Sequence, residues 1–341
     1  MSASDPSRRE VLAAAGAMAI ASSVAGTATA QPADAAHPPL TKADIDRMAQ
    51  KVSNAGRWGA DDQLGTLNLI TPAKRKQALA LATHGTTVSL AHEQSTEKSD
   101  DNRQPLIQTI RPPNFKPGEA TTFVFETYTM NYHGGYFTHM DALGHCFYDG
   151  ISYNGATPEI ASEHGLSKLS IMTSSNGVVT RGVLMDIPRL KNLPYLEPTD
   201  IVYPEDLDGW EKKAGIKVTS GDAIFIRTGR WARRKDKGSW NAASQGAGLH
   251  SSCAEWMHAR DVGILGTDDV GDKAPSPVPG VFNPVHSLVL ARMGTPMIDD
   301  CDLEAVSETA NQLKRWTFLM MVAPMVIPTG TGSPVNPIAI F

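Results

Sequence analysis

The chain has 341 residues, 41% hydrophobic and 20% charged, a composition that excludes disorder for the bulk and suffices for a sizeable core. Lys and Arg number 31 against 36 Asp and Glu, a formal net charge of -5; the sign is wrong for nucleic-acid binding and the magnitude too small for an acidic solvating tail. Three cysteines, Cys146, Cys253 and Cys301, stand in no zinc-finger spacing and leave one over from any pair, which excludes a disulfide framework.

The amino end reads as an address. Arg8-Arg9 precede an Ala-rich apolar run from Val11 to about Ala28, and Ala28-Thr29-Ala30 is a small-x-small cleavage site, the pattern of twin-arginine export to the periplasm or medium. The run is too rich in Ala, Gly, Ser and Thr to anchor in a bilayer, so residues 1–30 are expected to leave no membrane span behind. Residues 31–40, rich in Pro and Ala, read as a flexible lead-in. Thr41-x-x-Asp44 then has the form of a capping box, with Ile45, Met48 and Val52 at helical spacing behind it. Thr71-Pro72 opens a second expected helix running to about Ala82.

Short apolar runs bounded by Gly, Pro and Asp predict strands at Thr87 to Leu90, Thr121 to Met130, Val178 to Met185, Ala223 to Arg227, Gly263 to Gly266 and Phe318 to Ile327. Helical spacing returns at Cys253 to Arg260 and Leu303 to Leu313. The mixture predicts an α/β or α+β class, and with no linker after residue 40 and no internal repeat, residues 41–341 read as a single catalytic domain.

Chemistry concentrates in His133-Gly-Gly-Tyr136-Phe137-Thr138-His139-Met140-Asp141-Ala-Leu-Gly-His145. In an extended stretch, side chains two apart share a face, so His139 and Asp141 stand side by side with α-carbons roughly 6.6 Å apart, close enough to reach one ion. His145, beyond Gly144, can hang over the same pocket. Elsewhere, Cys146 has no partner placed to make it a nucleophile, and Gly330-Thr-Gly332 lacks the lysine and helix of a phosphate loop.

Thr138-His139-Met140-Asp141 followed by His145 resembles the Thr-His-x-Asp-x-x-x-His motif of the metal-dependent cyclase superfamily, which includes bacterial kynurenine formamidases, isatin hydrolase and trans-dienelactone hydrolases. The likeness extends over roughly residues 55 to 341, through Trp58-Gly-Ala-Asp-Asp-Gln-Leu-Gly65, Phe147-Tyr148-Asp-Gly150, Gly221-Asp222, Trp256 before Gly263-Ile-Leu-Gly-Thr-Asp268, and Gly332-Ser-Pro-Val-Asn336. It implies a compact α/β cyclase fold with a central mixed, barrel-like β region, and a homodimer or larger homo-oligomer. It also implies metal ligands late in the chain, for which His286 and Asp299 are the matches and Asp300 the fallback. The formamidase motif begins with a His four residues before the central one, where this chain has Gly135. His133 either fills in for it as a ligand or contacts substrate.

Imidazole and carboxylate together suit Zn²⁺ or Mn²⁺, one or two ions per chain. Such an ion activates water for acyl-bond hydrolysis, and His145 is assigned the proton for the leaving group, the role its family counterpart serves. The expected activity is hydrolysis of a carbon–nitrogen bond in a small cyclic amide or N-formyl arylamine. A lactone hydrolase, or an exported metal- or ligand-binding protein without turnover, is the alternative. Tyr136, Phe137, Phe147, Tyr148 and His250 are the candidate substrate contacts.

Overall fold

The structure, a computed structural model, describes residues 37–341. The expected signal peptide and most of the expected lead-in lie outside those residues. Both helix starts read from the sequence form as the capping rules require. Thr41 and Asp44 close a capping box at the head of the helix Lys42–Lys51, and Thr71 Oγ1 accepts the Lys74 amide at the head of Pro72–Leu79; caps of this kind contribute about 1 kcal/mol each. The second helix stops at Leu79 rather than Ala82. Beyond it the amides of His84 and Gly85 are drawn off to the carbonyl of Phe341, at 2.9 and 2.8 Å.

In chain order the described strands are β1 (Thr87–Ser89), β2 (Ile107–Arg111), β3 (Phe125–Thr129), β4 (His139–Asp141), β5 (Ala161–Ser162), β6 (Gly165–Leu166), β7 (Val178–Asp186), β8 (Ile201–Val202), β9 (Ala223–Arg227), β10 (Gly248–Leu249), β11 (Ile264–Thr267), β12 (Met297–Asp299), β13 (Thr317–Val322), β14 (Gly332–Pro334) and β15 (Ile338–Ile340). Nine of them make one curled, half-barrel sheet in the order β1-β15-β13-β7-β9-β11-β12-β4-β14, with helices around it. The run β7-β9-β11-β12 is parallel and the flanks are antiparallel, the mixed α/β sheet that the sequence predicts. Because side chains alternate across a strand, Val183, Met185, Ile224, Ile226 and Leu265 enter one apolar layer. Leu184, Phe225, Ile264 and Ile298 enter the other. Burial of each such side chain is worth about 1.5–3 kcal/mol.

Two expected strands change. The run from Thr121 narrows to β3, which is exposed at every position and pairs with β2 as a separate ribbon. The run from Phe318 ends at Val322, two residues before Pro324, which has no amide for a ladder. Helices at Pro204–Ala214, Arg230–Lys237 and Pro284–Leu288 occupy segments for which the sequence offered no element.

The parallel strands β9, β11 and β12 end at a common rim, the usual place for a site in an open α/β sheet. Their following turns carry Arg230, Asp268 to Asp272, and Asp300. Strand β4 is wedged between β12 and β14 and runs antiparallel to both, which sets His139 opposite Asp299 and Asp141 opposite Gly332.

Candidate metal centre

The register of β4 on β12 builds the centre. His139 and Asp141 share a face because they are two apart, and Asp299 joins that face because it is the cross-strand partner of His139. Met140 points the other way, into the core. His286 arrives on the short helix Pro284–Leu288 and brings Nε2 to 3.2 Å from Asp299 Oδ2 and 3.7 Å from Asp141 Oδ2. His133 comes from the loop before β4, with Nδ1 at 3.1 Å from Asp141 Oδ1 but outside hydrogen-bond geometry. Gly332 admits it: a Cβ there would meet the Met140 carbonyl at 2.6 Å and the His133 ring at 3.0 Å.

Thus all five sequence-assigned ligands, His133, His139, Asp141, His286 and Asp299, meet in two triads. His133, His139 and Asp141 form one; Asp141, His286 and Asp299 form the other, with the candidate ligand atoms of each within 4.8 Å of one another. Asp141 belongs to both. It is 1% exposed, and neither of its carboxylate oxygens has a hydrogen-bond partner. A buried carboxylate left this way costs several kcal/mol unless a cation completes it, so the donor set fits a divalent metal ion.

Hydrogen bonds aim the imidazoles. Nδ1 of His139 donates to the Phe137 carbonyl at 2.7 Å, and Nδ1 of His286 donates to Asp272 at 2.6 Å, leaving both Nε2 lone pairs for the centre. Asp272 is itself fixed by the amides of Val285 and His286 at 2.6 and 3.1 Å. The sequence reading missed Asp272, whose only signal is an acidic run after β11. It also missed Thr331, whose hydroxyl holds His133 Nε2 at 3.1 Å.

Charge follows the same layout. Burial works against a charged His139, yet the carboxylates of Asp141, Asp299 and Asp300 outweigh it and raise the imidazole to about 9 in the metal-free protein. Burial also opposes ionisation of Asp141, but the imidazoles of His145, His133 and His139 hold it well below the usual carboxylate range. For His145, burial prevails and lowers the imidazole below its ordinary value. That ring stacks on His133 at 4.0 Å between centroids, with Nε2 at 3.9 Å from Asp141. Burial pushes the Cys146 thiol up to about 11, away from nucleophilic thiolate.

The candidate substrate contacts scatter. Phe147 is half-buried beside the cluster sequence. Tyr136 and Phe137 pack with Trp231 in a small apolar cluster of their own. The Tyr148 hydroxyl turns away to Asp46. His250 sits before the helix Cys253–Ala259, its Nδ1 taken by Ser252 at 2.7 Å and its ring beside Tyr203. Asp300, the fallback ligand, pairs with Arg230 instead.

Residues 71–271 match the cyclase family. A crystal structure of a novel cyclase superposes with a TM-score of 0.73 at 28% identity, covering 85% of this chain and 100% of that one. Isatin hydrolase A from Labrenzia aggregata, bound to benzyl benzoate, gives 0.52 at 19% identity over 78% of this chain and 98% of its own. An isatin hydrolase bound to the product analogue thioisatinate gives 0.50 at 15% identity, over 80% of this chain and 99% of its own. These two share the fold. None of the curated proteins matches the chain.

Proposed function

The chain belongs to the cyclase family, and from that premise we propose a metal-dependent hydrolase that cleaves a carbon–nitrogen bond in a small cyclic amide or N-formyl arylamine. One observation carries this reading: the buried carboxylate of Asp141, with both oxygens free of hydrogen bonds, lies between two sets of imidazole and carboxylate donors. His139, Asp141 and His133 would hold one ion, and Asp141, His286 and Asp299 would hold another; Zn²⁺ and Mn²⁺ suit such donors. When bound, the metal supplies Lewis-acid polarisation of a carbonyl and lowers the pKa of water toward 7. His145 is neutral at pH 7, since burial lowers its imidazole. It takes a proton from the attacking water and delivers it to the leaving nitrogen. Chelation is expected to abolish hydrolysis, and Zn²⁺ or Mn²⁺ to restore it; full activity in metal-free protein overturns the mechanism. On matched lactam and lactone substrates, turnover confined to the lactone would reassign the bond cleaved.

Two further parts of the proposal concern the whole molecule. The β2–β3 ribbon exposes Ile107, Ile110, Phe125 and Tyr128, each more than half exposed. A two-stranded ribbon with such a surface is marginal alone in water, which supports a homodimer or larger homo-oligomer. Sedimentation of Ile110→Lys combined with Phe125→Lys tests this, and an unchanged mass overturns the ribbon's part in it. Export by the twin-arginine route to the periplasm or medium is tested by Lys at Arg8 and Arg9, which should trap the protein in the cytoplasm. No helix of the described residues is long and apolar enough to cross a membrane.

A further inference from the structure

One buried side chain behind the centre has no part in the scheme above. Arg230 is 2% exposed and opens the helix Arg230–Lys237 where β9 ends. Asp268 fixes that opening by accepting the amides of Thr228 and Gly229 at 2.9 and 2.8 Å. From there the guanidinium reaches three separate segments. Nη2 donates to the Gly135 carbonyl at 2.6 Å. Nη1 donates to Asp300 and, at 3.3 Å, to Asp269.

Each contact lands beside one part of the metal centre. Gly135 lies in the loop that carries His133 into β4, and Asp300 follows Asp299 directly. Asp269 lies on the turn that leads to Asp272, the partner of His286. Nearby Asp101, 4.0 Å from Arg230, is bound more closely by Arg234 at 2.6 Å, while Arg230 sits closest to Asp300 and Asp269. A planar fork sends donors in these several fixed directions at once; a lysine ammonium is a compact point charge on a flexible stem.

We propose that Arg230 is a positioning residue that sets the spacing between the two triads, a role that rests on the metal reading above. It touches neither metal nor substrate and acts through the loop at Gly135 and the turns at Asp269 and Asp300. The test uses the full-length protein loaded with Co²⁺, whose visible absorption reports the geometry of its ligands. Arg230→Lys should weaken Co²⁺ binding roughly 10- to 100-fold, the usual consequence of losing an outer partner of the ligands, and should change the visible spectrum while the far-ultraviolet circular dichroism stays the same. Arg233→Met, which removes a pairing with Glu197 on the same helix and leaves the Arg230 contacts in place, should keep the wild-type spectrum. If Arg230→Lys does not accumulate as folded protein, Asp269→Asn removes one tether and carries the same readout. A wild-type spectrum and affinity in the folded Arg230 variant, or in Asp269→Asn where that takes its place, overturns the role. Wild-type protein that takes up no Co²⁺ overturns the metal reading itself, and this role with it.

Discussion

The two triads are built to different standards of rigidity. His286 is braced by Asp272, which accepts its Nδ1–H at 2.6 Å, and its side chain is 8% exposed. His133 rests on one threonine hydroxyl and on the face of His145, with side-chain exposures of 23% and 31% for the two rings. An imidazole braced by a buried carboxylate holds its tautomer and direction before the ion arrives. One that leans on a neighbouring ring can yield when substrate enters. Under the proposed function, the difference gives the distal triad retention of metal and the His133–His145 face the chemistry, with Asp141 common to both.

Removing the common member should have the largest effect. Asp141→Ala is expected to lose both ions and reduce turnover to background, read by metal analysis and hydrolysis on the same sample; an occupied distal triad in this variant would break the idea of a shared carboxylate. His145→Ala comes next, at roughly 10²- to 10⁴-fold in rate with metal content near normal. A metal-depleted His145→Ala protein would move that residue among the ligands. Asp272→Asn keeps the shape but weakens the brace on His286, so metal affinity should fall about 10- to 100-fold while the Michaelis constant changes little. His133→Ala should lower occupancy of its own triad and leave the distal one filled. An altered Michaelis constant with full occupancy would make His133 a substrate contact.

A pH dependence of the metal-free fold is expected as well. His139 in the metal-free fold is raised from 6.5 to about 9 by its carboxylate neighbours, against the effect of burial. Its protonated form therefore adds stability that is fully present below pH 6.5 and is lost as pH rises through 9, at most about 3 kcal/mol. Melting of metal-free protein should fall across that window. Metal-loaded protein, in which the imidazole is held neutral as a ligand, should lack the fall.

The residues of the centre differ in how far sequence reveals them. His139 and Asp141 are legible because strand periodicity is local: two residues apart means one face. Asp299 could be assigned only through family resemblance, since its place opposite His139 depends on a register between segments far apart in the chain. Asp272 and Arg230 work through other groups, Asp272 on His286 and its helix and Arg230 on a carbonyl and two carboxylates from three segments, and such partners leave no spacing pattern. Tyr148 misled for a related reason. Its nearness to His145 in sequence suggests the pocket, but its hydroxyl is drawn to Asp46 on the first helix. Of the ribbon, only the β3 run reads as a strand from its β-branched and aromatic residues; the sequence predicts none at β2, and nothing local tells that the pair stands outside the main sheet.

Strand β4 has neighbours that are made long after it. Its partners β12 and β14 end at Asp299 and Pro334, and Thr331 and Gly332, which receive the His133 ring, lie within the final eleven residues of the 341. During synthesis the His133–His145 segment leaves the ribosome long before anything can pair with it. A chain arrested before Thr331 would carry all five donors and no β14 edge on which to hold β4. The seat of the His133 ring thus depends on the segment after β13, since Thr331 bonds it and Gly332 leaves room for it.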